Sequence, residues 1–382
     1  MRGHIRQRGK NSWAIVVRVR DPKTGKSKPH WHTVKGSRKD AEKELTRILH
    51  QIDTNTYLTP SKMTVAEYLR KWLKRQEKRI SANSLSANTW RGYRTNVENH
   101  IIPYLGDIRL IKLRAADVDD LFSEYLAEKD LSGTTLLYVF RTLNKALNDA
   151  VKREEINRNP VAIIERPRKG DIDIRVLQNI NEVNLLKEAL RETILYGPVM
   201  LILTTGLRRG EALGLRWCDL DFENRILRVK KQLTHDPISR KIKLTKLKTK
   251  TSNKPLKISK FTAKLLQNRK AEQEKERKFV GSGWRNKDSL VFTWPDGRKI
   301  NPIWFSKAFK REVDRIGLSG LTPKGLRHSH ATLLLGKNQN PKLIQEELRH
   351  SQIHVTMNTY SHVLPPMQEQ LADCIDELFG EI

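Results

Sequence analysis

The chain has 382 residues, which is too many for one ordinary hydrophobic core and indicates two or three domains. Lysine and arginine number 73 against 43 aspartate and glutamate, giving a formal net charge of +30. Such an excess attracts polyanions, so the composition predicts a nucleic-acid partner and leaves an anionic membrane surface as the competing interpretation. The sequence has no run of the ~20 apolar residues that a spanning helix needs and no apolar run behind its charged N-terminus, so we expect neither a membrane protein nor a secreted one.

Cysteine and histidine usage argues against disulfides and metal sites. The two cysteines, Cys218 and Cys374, are too few for a disulfide framework or a Cys-rich zinc module, so we expect a protein of the reducing cytosol. His328 and His330 are two residues apart and would face different ways on a helix. His350 is followed by another histidine four residues later, but without the HExxH order of a zinc helix. The sequence therefore predicts no metal ion and no cofactor.

Residues 1–57 predict a small basic unit of two strands and a helix. The segment WAIVVRVR (13–20) alternates as a half-buried strand does, and SKPHWHTV (27–34) can return beside it after a turn. SRKDAEKELTRILHQI (37–52) spaces its apolar residues as one stripe of a helix, with Ser37 as a candidate N-cap. We therefore expect a β-β-α unit, followed by a first linker.

Residues 63–165 predict an all-helical segment. Four stretches carry apolar residues three and four apart: VAEYLRKWLKRQ, TWRGYRTNVENHIIPYL, DVDDLFSEYLAEK and TTLLYVFRTLNKALNDAVKRE. Breaks of polar residues or glycine separate them at 81–88, 105–107 and 131–133. Proline, glycine and charge at 165–173 then predict a second linker.

From residue 174 onward the pattern is mixed and mostly helical. RILRVKKQL (225–233) and RKIKLTKL (240–247) predict strands on either side of a turn. The stretch 240–260 holds nine lysines and arginines and no acid, and its PLKIS end predicts the second strand of a hairpin with a lysine-rich tip. A charge run of this kind is usually a solvated face, and it can also follow a DNA groove.

Three blocks in this last segment combine residues that could act on one phosphodiester. They are TTGLRRGEALGLRW (204–217), TPKGLRHSHATLLL (322–335) and LRHSQIHVTMNTYSHV (348–363). Arginine provides a planar, permanently charged fork that fits phosphate oxygens, and the first two blocks hold Arg208 and Arg327. Tyrosine has a free pKa near ~10 and needs such a charged site to act as a nucleophile. The third block holds His350 and Tyr360.

Each of these residues taken alone has an ordinary structural interpretation. Arg208 and Glu211 are one helical turn apart and are typical of a solvated ion pair at the start of a helix. Tyr360 alone is more typical of a tyrosine in a core or an interface. The combination and its order across ~150 residues favour chemistry, because each position then has a defined role.

The three blocks resemble the catalytic boxes of the tyrosine recombinases, the phage-integrase family. The N-terminal unit is similar to the arm-site DNA-binding domain of many integrases of phages and integrative elements, and the helical segment resembles their core-binding domain. The resemblance implies an arm-site domain at 1–57, a helical, SAM-like core-binding domain at 63–165 and a catalytic domain at 174–382. The implied fold class is multidomain and mainly α with small β elements. The amphipathic tail at 364–382 would pack on its own domain or dock on a neighbouring protomer.

The resemblance also implies a role for each matching residue. Arg208 and Arg327 would clamp the phosphate, and Glu211 would orient Arg208. Tyr360 would be the nucleophile. His350, ten residues before it, aligns with the active-site histidine of the family.

Three positions depart from the family pattern. Lys324 replaces the common histidine of His-x-x-Arg, so the identity of the general base stays open. Lys248 matches the catalytic lysine of a Pro-Lys-Thr-Lys-Ser context although Leu247 replaces the proline, and Lys250 is the alternative. Arg349 occupies the glycine place of Leu-Gly-His-Ser.

The reaction implied by the family is site-specific recombination of DNA. Each cleavage would give a 3′-phosphotyrosine and a free 5′-hydroxyl, four protomers would exchange strands through a Holliday junction, and neither a metal ion nor ATP would be needed. The implied partners are double-stranded DNA at core sites and separate arm sites, further copies in a homotetramer, and an excision factor or host DNA-bending protein, in the nucleoid of a bacterial cell. The candidate DNA contacts are basic residues: Arg18, Arg20, Arg91, Arg94, Lys250 and Lys254.

Three other functions remain open from the sequence: a topoisomerase-like enzyme of type IB, a non-catalytic DNA-binding regulator with the same fold, and a metal-dependent nuclease. The arm-like N-terminus argues against the first. The substitution at Lys324 keeps the second open. The catalytic boxes lack the clustered carboxylates that the third needs.

Overall fold

The computed structural model describes residues 3–20, 26–54, 57, 61–82, 84–170, 174–247 and 254–349. The chain divides into two compact units, Met1–Asp171 and Ile172–Ile382. The described residues are mostly helical, and the strands among them form three small sheets. The predicted fold class, mainly α with small β elements, is therefore confirmed. None of the helices within these ranges is both long and apolar enough to cross a bilayer. The three-domain boundaries stay a prediction.

The first unit opens with a three-stranded antiparallel sheet and a helix. Its elements are β1 (Gly3–Gly9), β2 (Ser12–Arg20), β3 (Ser27–Lys35) and α1 (Arg38–Asp53), with β2 in the centre of the sheet. Ile15 and Val17 on β2 and Ile48 on α1 are fully or almost fully buried in one cluster, as the alternation predicted. Ser37 caps α1 by accepting from the backbone N–H of Asp40, which confirms the predicted cap.

The strand β1 is the feature that the sequence did not predict, because we expected only two strands before the helix. Ile5 is its one large apolar residue, and Arg6 and Arg8 stand two apart on the other face. A strand with so little apolar alternation has no hydrophobic signal of its own. It forms because β2 offers backbone partners along its length, from Gly3 opposite Val17 to Gly9 opposite Ser12, with one shift of register between Gln7 and Gly9.

The rest of the first unit is helical, as predicted. Its longer elements are α2 (Val65–Ser81), α3 (Ala87–Asn96), α4 (Ile102–Leu105), α5 (Ala115–Asp120) and α6 (Gly133–Val151). Two buried aromatic residues of α2 tie it to α6: the Tyr68 hydroxyl donates to the Ala146 carbonyl oxygen at 2.6 Å, and Trp72 Nε1 donates to Asp149 Oδ2 at 2.8 Å. The polar ends of both rings are therefore satisfied inside an apolar core.

The second unit surrounds one apolar helix. Its helices are α7 (Ile180–Leu190), α8 (Tyr196–Thr205), α9 (Arg209–Leu213), α10 (Lys260–Val280), α11 (Pro302–Arg315), α12 (Pro323–Leu335) and α13 (Pro341–Leu348). Almost every residue of α8 is buried, from Pro198 to Leu203 without a break. The helix α12 packs against α8 and begins at Thr322 and Pro323, as the sequence predicted.

The strands of the second unit correct two predictions. They are β4 (Leu220–Asp221), β5 (Ile226–Leu227), β6 (Lys231–His235), β7 (Ile242–Lys246) and β8 (Leu256–Lys257). The predicted pairing around the turn is confirmed, because β6 and β7 pair with Leu233 opposite Leu244, but the predicted single strand 225–233 is divided into β5 and β6. The predicted hairpin between β7 and PLKIS is wrong: β8 pairs with β5, with Leu256 opposite Leu227. The buried side chains of Leu227 and Leu256 favour this pairing in the core.

Candidate active site

The first block places Arg208 at a tight junction between two helices. Gly206 ends α8 in the left-handed conformation at φ 62°, and a Cβ at that position would lie 2.5 Å from Leu348 Cδ2. Arg208 is the N-cap residue of α9, and its side chain is 45% exposed. Glu211 accepts from the backbone N–H of Arg208 at 3.1 Å and from its Nη1 at 3.0 Å. The predicted partnership of Arg208 and Glu211 is present.

The second block places Arg327 in the interior, on α12. Its residue surface is 6% exposed. Its Nη1 donates to the Gly206 carbonyl oxygen and its Nη2 to the Leu348 carbonyl oxygen. The guanidinium therefore joins the start of the first block to the start of the third, with charged hydrogen bonds inside the core.

Arg349, the second residue of the third block, contributes to the site. From the sequence alone, it stood out only as a departure from the family's glycine. Arg349 follows α13 in the left-handed conformation at φ 55° and ψ 43°. Its side chain is 1% exposed, and its Nη2 donates to Glu211 Oε2 at 2.8 Å. Glu211, itself 3% exposed, thus binds Arg208 and Arg349 together. No spacing rule would have revealed this contact, because 138 residues separate the two partners.

The electrostatics of this cluster favour an anion. One buried carboxylate, Glu211, faces two guanidinium groups, so the trio carries a net positive charge. Burial lowers the pKa of Arg349, and Glu211 acts against that shift by raising it. Burial, then Lys324 and Arg327, lower the pKa of His328 to about 4, so this ring is neutral at neutral pH. A phosphate at this point would meet charges of the opposite sign.

Two further residues of the second block lie on α12. Lys324 is exposed in the first turn of the helix, three residues before Arg327. His330 is buried, and its Nδ1 lies 2.9 Å from the Leu203 carbonyl oxygen. Within the part of the chain that the structure describes, no three His, Cys, Asp or Glu side chains gather as a metal ion would need.

Several predicted residues lie outside the described residues: Lys248, Lys250, His350 and Tyr360, together with the tail at 364–382. Lys254, a predicted DNA contact, is exposed just before β8. The described site therefore comprises Arg208 with its carboxylate partner Glu211, the buried Arg327, and Arg349, which directly precedes His350 in the sequence.

Basic residues also collect on one face of the N-terminal sheet, which we call the outer sheet face. Arg18 is exposed on β2, and Arg20 ends that strand. Strand alternation places the following residues on the same face as Arg18: His4, Arg6, Arg8, Trp31 and Lys35. Trp31 is 51% exposed, and the Arg8 guanidinium lies 5.5 Å from its ring centroid. Sequence reasoning missed most of this face because it missed β1; the alternation of Arg6 and Arg8 was the available signal.

The two predicted contacts in the helical segment are surface residues of α3. Arg91 and Arg94 are exposed, and the Arg94 guanidinium lies 5.7 Å from the ring centroid of Trp90. Arg94 and the buried Trp90 line a groove together with Lys74, Glu77 and Glu98. The groove thus carries charges of both signs, and the exposed Arg91 and Arg94 are the residues that suit a nucleic-acid backbone.

Two family models match this chain. Residues 175–366 match the phage integrase family, and residues 64–127 match the N-terminal SAM-like domain of phage integrases. A XerC-like tyrosine recombinase of Caldanaerobacter subterraneus subsp. tengcongensis is 26% identical, over 97% of each chain. The ICEBs1 integrase of Bacillus subtilis is also 26% identical, over 76% of this chain and 78% of its own.

Solved structures share the fold. The Tn1549 transposon integrase in complex with transposon right end DNA has a TM-score of 0.64 at 22% identity, covering 81% of this chain and 100% of that one. A lambda integrase tetramer bound to a Holliday junction has a TM-score of 0.54 at 18% identity, covering 93% of this chain and 94% of that one. At these identities the likeness concerns the fold alone.

Proposed function

This chain belongs to the phage integrase family, and on that premise we propose that it integrates and excises a mobile DNA element by attack of Tyr360 on a scissile phosphate. It is a tyrosine recombinase, an enzyme that breaks and rejoins DNA at specific sites. The preferred direction of the reaction would depend on an excision factor or a host DNA-bending protein.

One observation carries the proposal for the active site: side chains from the first two blocks meet the start of the third at one point of the second unit. Arg327 donates to the carbonyl oxygens of Gly206 and Leu348, and Glu211 binds both Arg208 and Arg349. A solvated surface pair, the ordinary interpretation of Arg208 and Glu211, would not bury its carboxylate between two guanidinium groups. The arrangement supports a preorganised anion site, with the His350 segment beginning beside it.

In the proposed reaction the Tyr360 oxygen bonds to phosphorus, and the bond from phosphorus to the 5′-oxygen breaks. Arg208, whose side chain is 45% exposed, would hold one non-bridging oxygen. Arg327 would hold the other, with a phosphate oxygen competing for the N–H groups that donate to carbonyls here. Both arginines would neutralise charge that grows in the transition state.

Proton movements complete the step. The tyrosine loses its proton on attack, and His350, together with Lys324, would accept that proton or bind the phosphate. Lys248 would protonate the leaving 5′-oxygen, with Lys250 as the alternative. The 5′-hydroxyl of the partner strand then attacks the phosphotyrosine and reverses the step. Because the phosphotyrosine retains the bond energy, the exchange needs neither ATP nor a metal ion.

DNA binding would involve surfaces in both units. In the first unit, the outer sheet face would bind separate arm sites through Arg18 and Arg20, with Trp31 and Arg8 adding to the contact. The helical segment would bind core sites, in part through Arg91 and Arg94, and the catalytic unit would add Lys254. Because the arm-binding and core-binding surfaces belong to one chain, binding of one raises the effective concentration of the other at its DNA site. Four protomers would assemble on two core sites in the cytoplasm of the bacterial host.

The function is tested by recombination between two plasmids that carry the paired attachment sites, in buffer with EDTA. We expect recombinant product from the wild-type protein and none from Tyr360→Phe. Relaxation of a supercoiled plasmid without paired sites, and without recombinants, would instead support the topoisomerase-like function. Tight DNA binding with neither product would support the non-catalytic regulator.

A further inference from the structure

We propose that Arg349 is a positioning residue: through Glu211 it holds Arg208 in the geometry that cleavage needs. This inference rests on the proposed function of the same site. Arg349 occupies a position at which the family usually has glycine. Its side chain makes contacts that a glycine could not make.

The backbone at Arg349 favours a residue without a side chain. At φ 55° and ψ 43° it lies in the left-handed region, which glycine enters freely and other residues enter at a cost. The left-handed turn ends α13, and the backbone N–H of Arg349 bonds to carbonyl oxygens of that helix. A favourable contact of the Arg349 side chain would offset part of this backbone cost.

That contact is an ion pair removed from water. The side chains of Arg349 and Glu211 are 1% and 3% exposed, and their Nη2 and Oε2 atoms are 2.8 Å apart. Glu211 uses its other oxygen, Oε1, for Arg208 Nη1. Its Oε2 also accepts from the Arg208 backbone N–H, so the carboxylate binds both arginines at once and its position fixes that of the Arg208 guanidinium.

The peptide around Arg349 is anchored twice. The carbonyl oxygen of Leu348 accepts from Arg327, and the side chain of the next residue binds the partner of Arg208. Two successive residues thus connect the end of α13 to both proposed phosphate clamps.

The charge balance also depends on Arg349. Arg208 and Glu211 without it would form a neutral pair, in which the carboxylate opposes the pull of Arg208 on a phosphate. Arg349 adds a second positive charge at that carboxylate, so the three side chains together keep a net positive charge that attracts a phosphate. A role in cleavage, beyond a role in folding, follows from this balance.

A double-mutant cycle separates these roles. Arg349→Gly and Glu211→Gln, alone and together, are compared in single-turnover formation of the covalent adduct on a nicked suicide duplex, with DNA affinity and thermal midpoint measured alongside. We expect Arg349→Gly to slow adduct formation by about tenfold or more while changing the DNA dissociation constant by less than about twofold. In the Glu211→Gln background, the same change should add less than about twofold.

Asn338→Gly is the matched control. Asn338 is another non-glycine residue at positive φ, 56°, in the same unit, and it is exposed. We expect the control to keep the wild-type rate of adduct formation. If Arg349→Gly does not fold, Arg349→Asn serves in its place, since asparagine tolerates the left-handed backbone and removes the ion pair.

Two results would overturn the inference: a wild-type rate in the Arg349 variant, or an equal loss of rate with and without the Glu211 carboxylate. A wild-type protein that forms no adduct would instead count against the proposed function itself. The two failures are therefore distinguishable.

Discussion

Arg327 donates a hydrogen bond to the carbonyl oxygen of Gly206, which lies 121 residues earlier in the chain. The same guanidinium donates to Leu348, so one proposed phosphate clamp is also a cross-link of the interior. Arg208, the other proposed clamp, sits on a helix start with its side chain partly in solvent. The two arginines should therefore respond differently to the same substitution.

We expect Arg327→Lys to lower both stability and cleavage. A lysine has a single nitrogen and cannot reach two carbonyl oxygens as the guanidinium does, so one buried acceptor loses its partner. The free energy of unfolding should fall by about 2–3 kcal/mol, with adduct formation falling at least about a hundredfold. Thermal denaturation and suicide-substrate cleavage measure the two effects.

Arg208→Lys is the matched comparison. Its loss of bidentate phosphate binding should reduce adduct formation to a similar extent, while the thermal midpoint falls by less than that of Arg327→Lys because the side chain is partly exposed. Equal losses of stability in the two variants would contradict the distinct structural role given to Arg327.

Gly206 should not tolerate a methyl group. An alanine there would be strained at φ 62° and would place its Cβ 2.5 Å from Leu348 Cδ2 and 3.1 Å from His330 Cδ2. Gly317 has a similar φ of 78° and open space around it, so Gly317→Ala carries the backbone strain alone. We expect Gly317→Ala to cost about 1 kcal/mol and Gly206→Ala about 1–3 kcal/mol more, measured by urea denaturation. Similar values for the two would mean that the end of α13 is not packed against α8.

Acid should destabilise the protein in part through His328. Burial, then Lys324 and Arg327, lower the pKa of this residue from its ordinary 6.5 to about 4. Between those two values the unfolded chain binds a proton that the folded chain does not bind. The free energy of unfolding therefore falls as the pH drops from above 6.5 towards 4, by at most about 1.4 kcal/mol per pH unit from this residue.

The His328→Gln variant tests this dependence. Its thermal midpoint should depend less steeply on pH than that of the wild type between pH values of about 6.5 and 4. His50→Gln, at an exposed position of α1, should leave the wild-type slope unchanged. A wild-type slope in His328→Gln would show that the ring is not buried as the structure has it.

Residues of the outer sheet face should contribute to binding at arm sites and not at core sites. We expect Arg18→Gln to weaken binding to arm-site DNA and to reduce the slope of log affinity against log salt by about 1, as the loss of one phosphate contact does. Trp31→Ala should weaken the same binding, and neither change should affect core-site duplexes. Lys39→Gln, on the exposed surface of α1, is the charge-matched control. Unchanged arm-site affinity in Arg18→Gln would contradict this assignment.

The elements that could be predicted from the sequence are those whose apolar residues repeat with a regular period. The alternation around Ile15 and Val17, the cap at Ser37 and the helix start at Thr322 all concern residues close together in the chain. Local patterns of this kind report propensity and burial directly. The strand β1 was not predicted, because it is stabilised by backbone pairing with β2. Backbone pairing leaves no mark in the apolar pattern of the strand.

The candidate site was predictable in part for the same reason. The blocks around Arg208 and Arg327 stood out through the resemblance, and Glu211 through its spacing of one helical turn. The contact of Glu211 with Arg349 joins residues far apart in sequence, and no period connects them. The pairing of β8 with β5 could not be predicted for a similar reason. Side-chain packing in the core decides which of two strands β8 pairs with, and the sequence of β8 itself does not show this.

The most direct test of the account uses a nicked suicide duplex that carries the crossover site, incubated in EDTA with wild-type protein and with Tyr360→Phe. The account predicts a protein–DNA adduct that resists denaturant, formed by the wild type alone and joined through a 3′-phosphate. A wild-type protein that binds this duplex but forms no adduct, or a Tyr360→Phe variant that forms one, would contradict it.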